Sequence, residues 1–354
     1  MMPNIPDCIL DSLSIDTGEI NTNCNIFLFT VIKNEEFFIP SFLDHYRKIG
    51  VEQFLFLDDK SSDKTRDMLK NESDCVILSS PYSFGDEISF TNNKGQQEKQ
   101  RVGKLLKAAI PEKFLRNKLG IYADADEFLV FPSGINNLQE LYKIMREKGI
   151  KTIAASQIEF YPKNLTDLSE TKGFSCLKEI LHSYPYFDAE TLVTLHEGKQ
   201  PGEVGDSASK RLFARYHIAK PLRYIRKIPP KVFQKIFRFP VDDSSVFKTP
   251  VFLFEDGVEL IGSHNANVAP TDKILLGLFH FKYTCDSKRR IDQALELKSH
   301  RNKSLKYKSY YRLFKEMAGK EDSFIGPKSK EFRNLKDLEH AGLIKNDFFE
   351  KDVS

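Results

Sequence analysis

Two acidic clusters in this chain could do chemistry. The sharper is Tyr122-Ala123-Asp124-Ala125-Asp126-Glu127-Phe128, in which an apolar run delivers carboxylates at i and i+2 and a third directly after. In an extended segment, side chains at i and i+2 point the same way, so Asp124 and Asp126 are expected to converge on one hard cation. A divalent ion held by few carboxylates keeps positions open for phosphate oxygens. Such a site binds a nucleoside diphosphate and neutralises it as it departs. The competing reading is a plain acidic turn at a strand end. The second cluster is Asp58-Asp59, followed by Lys60-Ser61-Ser62-Asp63-Lys64-Thr65. Ser62 or Asp63 would serve as a helix cap. A cap needs only one such residue, and two further acids point to hydrogen bonds with a base or ribose.

Hydrophobic runs show what positions these clusters. Asn25–Ile32 and Gln53–Leu57 are continuous apolar stretches, each the signature of a strand buried on both faces. Cys75–Leu78, Leu119–Ala123 and Thr152–Phe160 read as further strands. Between them, Phe38, Phe42, Leu43 and Tyr46 recur at helical spacing, with Asn34 placed as an N-cap and Gly50 as the stop. Thr65–Lys70, Gln96–Ile110 and Leu138–Lys148 read as helices. Strands alternating with helices imply crossover connections and a mostly parallel sheet, so the fold class is α/β. Ligands of such sheets bind beyond the carboxyl ends of the strands, and both acidic clusters fall there. Beyond residue 160 the pattern weakens. Leu212–Ile218, Val251–Phe254 and Leu278–Tyr283 read as strands, and Arg289–His300 and Tyr307–Met317 as helices.

Composition bounds the class. The chain has 354 residues, 40% hydrophobic and 29% charged, which fits two domains or one large α/β domain with additions. Five cysteines without a C-x-x-C pair argue against a disulfide framework or a zinc site and favour a reducing compartment. No run approaches the ~18 apolar residues of a membrane span, and the acidic N-terminus lacks the basic region of a secretory signal. The net charge of +3 hides an asymmetry: residues 1–200 carry −7 and residues 201–354 carry +10. The basic half points to an anionic partner.

Together, Lys33-Asn34-Glu35, the 58–65 stretch and Asp124-Ala125-Asp126-Glu127-Phe128 resemble, in order and spacing, the nucleotide-sugar glycosyltransferases of GT-A fold, above all the family 2-like branch. The resemblance covers roughly residues 25 to 160. It implies a GT-A-like domain over 24–285, with a nucleotide-sugar-binding half at 24–160 and an acceptor-side half at 161–285. Residues 286–354 would form a basic helical extension. Thr30, Glu35, Asp58 and Asp59 would line the nucleotide pocket, and Asp124 and Asp126 would meet the diphosphate through Mn²⁺ or Mg²⁺. Members of the family carry a His-Tyr or His-Phe step late in the domain. By that likeness His280, in Leu278-Phe279-His280-Phe281, would complete the metal shell, ahead of His264; a packed histidine is the alternative.

Family 2-like members generally invert, and an inverting transferase needs a carboxylate base. The candidates are Glu197, Glu203 and Asp206, in a glycine-punctuated stretch that reads equally as a solvated loop. Lys210 and Arg211 follow and could meet diphosphate oxygens, against a default of surface charge. From 217 to 240 seven Lys/Arg and no acid alternate with Ile, Val and Phe. This pattern suits either an anionic bilayer surface or a solvated helix with one packed face. The expected partners are a nucleotide-sugar donor and a carbohydrate or lipid-linked acceptor. The expected place is the cytoplasm, with peripheral contact at the inner membrane face, in cell-surface polysaccharide or lipopolysaccharide synthesis. A nucleotidyltransferase would show a Gly-rich loop after the first strand, and none follows Val31. A basic nucleic-acid-binding protein would show one of the known binding motifs, and none is present.

Overall fold

The computed structural model describes residues 5–92, 95–169, 173–221, 241–242, 244–261, 265–297, 301–319 and 322–348. Its centre is a ten-stranded sheet. Strands Cys75–Ser79, Gln53–Asp58, Ile26–Ile32 and Leu119–Tyr122 lie side by side, all parallel. Phe247–Leu253 comes next and runs antiparallel to both of its neighbours, Leu119–Tyr122 and Thr152–Glu159. Ile274–His280 is again parallel to Thr152–Glu159. Six of the ten strands run in one direction, so the sheet is mostly parallel, and helices flank it, the α/β class expected from the sequence.

The continuous apolar runs are explained by burial on both faces. Phe27 and Phe29 face one core layer, with helix Val102–Phe114, while Ile26 and Leu28 face the other, with helices Ile39–Lys48 and Leu138–Lys148. Helix Leu138–Lys148 is capped by Asn137, whose side chain accepts from Glu140 N, and is stopped by Gly149 at φ 65°. Among the described residues, no helix is long and apolar enough to cross a membrane.

Several local expectations are overturned. Asn34 does not cap helix Ile39–Lys48, which begins after Phe38. Its backbone sits at φ 57°, and its side chain accepts from Ser62 N at 2.7 Å in the neighbouring loop. Residues 97–101 are a strand, not the start of a helix; they pair with Glu87–Thr91. The polar run Gln96–Arg101 has no apolar stripe for a helix to bury. The stretch read as a strand at 212–218 lies mostly in helix Ala208–Arg215, which Ser207 caps. Ala208, Leu212, Phe213 and Tyr216 are its buried face, a helical spacing of which the 212–218 window held only part. Ahead of the first parallel strand, Ile9 and Leu13 are buried against helix Val102–Phe114.

Two short strands from beyond residue 286 pair with earlier ones. Lys345–Asn346 pairs with the start of strand Ile274–His280, and Ser329–Glu331 pairs with Tyr186–Asp188.

Helix Ile39–Lys48 also grips the strand that follows the sharper acidic cluster. Tyr46 OH donates to the Glu127 carbonyl at 3.0 Å, and His45 Nε2 lies 2.8 Å from the Leu129 carbonyl. Burial pushes the His45 pKa down to about 4, although the bond to Leu129 opposes the shift. The folded value lies below the unfolded one of about 6.5, so this stabilisation is complete above about pH 6.5 and is lost as pH falls towards 4. Its full size is on the order of 3 kcal/mol. The thermal midpoint of His45→Gln should therefore decline less than the parent's between pH 7 and 4.5. Equal declines would overturn this.

Candidate functional site

The site is assembled at the carboxyl ends of the parallel strands. Ile26–Ile32 leads into Lys33-Asn34-Glu35, Gln53–Asp58 into Asp59, and Leu119–Tyr122 into the Asp124–Glu127 turn. Ile274–His280 ends on His280 itself. Phe247–Leu253 runs the other way, so its second residue, Lys248, lies at this same end.

The two motif loops are tied together by their own polar atoms. Asn34 N donates to Ser61 Oγ at 2.9 Å, Glu35 N to Thr65 Oγ1 at 2.8 Å, and Lys64 N to Glu36 Oε2 at 3.0 Å. Thr65 is fully buried for that reason. Asp58 accepts from Ser61 N at 3.1 Å and from Arg66 Nη1 at 2.8 Å, which spends its carboxylate on holding the loop. Asp59 accepts from Phe84 N at 2.9 Å and faces Lys33 Nζ at 3.5 Å. Thr30 Oγ1 and Glu35 Oε2 are buried without a hydrogen-bond partner.

The acidic cluster is a tight turn. Glu127 N donates to the Asp124 carbonyl at 2.9 Å, and Asp124 N donates to Glu127 Oε2 at 3.0 Å. The extended geometry expected for Asp124 and Asp126 is therefore absent, and the two carboxylates take different partners. Asp124 accepts from Lys248 Nζ at 2.6 Å and from Tyr122 OH at 2.7 Å, with Lys107 Nζ at 3.7 Å. Asp126 accepts from Arg290 Nη1 at 2.6 Å and lies 3.5 Å from His280 Nε2. Burial works against both charges. Lys248 and Lys107 outweigh it at Asp124, and Arg290 and His280 at Asp126, so both carboxyls sit below the usual range. Glu35 goes the other way: burial raises it to about 7, although Arg290 Nη2 lies 3.4 Å away.

Beneath the turn lies a network that sequence reasoning missed. Lys248 is 2% exposed and also meets Glu127, which is 0% exposed and accepts from Gln157 Nε2 at 2.7 Å. Glu159 holds Lys282 and accepts from Ser209 N at 2.6 Å, which points the start of helix Ala208–Arg215 at the site. Burial opposes the Glu159 charge, but Lys282 and His280 hold its carboxyl at about 2. The available signal was a lone lysine within the apolar run Val246–Leu253, since a buried lysine requires a carboxylate partner. Arg290 lies 164 residues from Asp126 and gave no such signal.

The residues expected for base and phosphate roles divide. Glu203 accepts at 3.2 Å from the N of Val246, two residues before Lys248 in the chain, and Lys210 Nζ lies 3.4 Å from its other oxygen. Asp206 is buried at the head of helix Ala208–Arg215. Glu197 is exposed. Arg211 is locked to Asp188 at 2.7 Å and to the Phe324 carbonyl. His264 and residues 222–240 of the basic stretch lie outside the described residues.

Among the described residues, no group of three His, Cys, Asp or Glu is arranged to hold a metal ion. Asp124 is committed to Lys248 and Tyr122. Asp126, itself paired with Arg290, and His280 lie side by side, and His280 Nδ1 is buried without a hydrogen-bond partner, 3.9 Å from Glu127 Oε1. That pair fits a cation that arrives with a substrate's phosphates; it does not fit a three-ligand resident centre.

No family model matches the chain, and no curated protein matches it. Among solved structures it is similar to S. aureus TarS residues 1–349, at 14% identity and a TM-score of 0.28, over 38% of this chain and 36% of that one. A second structure of S. aureus TarS matches at 11% identity and a TM-score of 0.28, over 38% of this chain and 22% of that one. The chain thus spans well under half the length of either structure.

Proposed function

We propose that this chain is a glycosyltransferase that moves a sugar from a nucleotide-sugar donor to a hydroxyl acceptor, in polysaccharide synthesis. One observation carries the reading. Three motif pieces separated in sequence are wired into one site at the carboxyl end of the sheet: Asn34 and Glu35 bond to the 61–65 loop, and Arg290 joins Glu35 to Asp126. Ligands of such sheets bind there.

In this reading Thr30, Glu35 and Asp59 face the nucleoside, with Asp58 fixing their loop. Asp126 and His280 would hold a divalent cation, which when bound supplies charge neutralisation at the diphosphate. The acceptor hydroxyl attacks the anomeric carbon, its proton passes to a carboxylate, and the nucleoside diphosphate leaves with the electron pair of the broken bond, inverting the centre. Glu197, Glu203 and Asp206 are the candidates for that base, and Glu203 lies beside the start of the strand that carries Lys248.

The test is a thermal-unfolding screen of UDP-, GDP-, CMP- and TDP-sugars with Mn²⁺ and with EDTA. A donor at about 100-fold its Kd stabilises the folded state by about 2.7 kcal/mol. One nucleotide class should stabilise the chain, and more strongly with Mn²⁺. If none does so under either condition, the reading fails.

A further inference from the structure

Three permanent or near-permanent cations surround the acidic turn: Lys107, Lys248 and Arg290. They are not equivalent. The Lys248 side chain is 2% exposed and that of Lys107 is 9%, and both lie on the Asp124 side of the turn. Arg290 is 22% exposed and lies on the Asp126 side, the most accessible of the three cations. It comes from helix Ser287–Leu297, in the segment that the sequence set apart as an extension.

Its placement is built. The guanidinium carbon lies 5.5 Å from the centre of the Phe38 ring, which supports one face of the group. Its two terminal nitrogens are divided between Asp126 at 2.6 Å and Glu35 at 3.4 Å, so it spans the loops proposed for diphosphate and nucleoside. The preceding residue anchors the helix: Arg289 pairs with Asp286 and donates to the Asn34 carbonyl at 3.0 Å. A planar fork held in this way suits two phosphate oxygens better than a point charge does.

We propose that Arg290 is a phosphate-binding residue, whose guanidinium takes the diphosphate of a nucleoside diphosphate entering between Glu35 and Asp126. This rests on the donor reading above. The ion pairs to Asp126 and Glu35 hold the group in position, and the longer one, to Glu35, is the contact that phosphate oxygens replace.

Calorimetric titration of UDP and GDP, each against its free nucleoside, tests this on the full chain with Mn²⁺ and with EDTA. Arg290→Gln should weaken the bound diphosphate about tenfold or more and leave nucleoside affinity within about twofold. Arg290→Lys retains the charge that Asp126 and Glu35 require for folding but loses the fork. It should still be several-fold weaker for the diphosphate alone, and it decides the matter if the Gln variant does not fold. Full affinity in Arg290→Lys, or equal losses for diphosphate and nucleoside in either variant, would overturn the assignment and leave Arg290 a structural counter-charge. If the unmodified chain binds neither diphosphate, the assignment falls. The donor reading stands or falls separately, on the wider sugar-nucleotide screen.

Discussion

Replacing Lys248 with Met should cost about 3–5 kcal/mol of stability, the largest single loss predicted for this chain, because it leaves the buried Glu127 carboxylate without its cation, while the part-exposed Asp124 keeps Lys107 nearby. Lys248 contacts both Asp124 and Glu127, and Glu127 is completely buried. Tyr122 and Gln157 each supply one remaining donor, which softens the loss without cancelling the charge. The pH dependence follows from Asp124, whose carboxyl is held below its ordinary range by Lys248 and Lys107 against the opposing effect of burial. That contribution is present above the unfolded value of about 3.9 and is lost as pH falls through the folded one. The gap between parent and variant should thus be widest near neutrality and should narrow below about pH 4. Thermal unfolding of both proteins across pH 3 to 8 measures it. A variant as stable as the parent at pH 7 would show that the network beneath the turn contributes little.

The second large effect is on turnover. Asp126→Asn keeps the shape of the side chain and an oxygen that can still accept from Arg290, so the fold should survive with its circular dichroism unchanged. Losing the charge removes the carboxylate proposed to hold the cation. Transfer from whichever donor the stabilisation screen identifies should then fall by about a hundredfold or more. Activity within twofold of the parent would remove Asp126 from the mechanism. Full parental activity in excess EDTA would remove the cation while leaving the carboxylate its pairing role with Arg290.

The sequence by itself determined the central sheet and the end of it that matters. Runs such as Ile26–Ile32 and Phe54–Leu57 are apolar at nearly every position, and only strands covered on both faces bury nearly all of such runs. Their local character was enough to place both acidic clusters at carboxyl ends. Local pattern was insufficient wherever a distant partner decides the outcome. Helix Ala208–Arg215 was misread because its buried face matches Tyr283, Tyr310 and Leu313, which lie far along the chain. The hairpin at Gln97–Arg101 exists because Glu87–Thr91 lies beside it.

At the site the division is sharper. Asp124 and Asp126 were legible as two acids at a strand's carboxyl end, but the directions of their side chains were not. A tight turn closes between Asp124 and Glu127, sending one carboxylate to Lys248 and Tyr122 and the other to Arg290 and His280. Lys248 reaches the turn because its strand runs antiparallel between two parallel neighbours, so that its first residues, not its last, lie at the carboxyl end. Buried charges need opposite charges, a demand the sequence states in advance. Which lysine or arginine meets it depends on the order and direction of strands, and only the tertiary structure sets those.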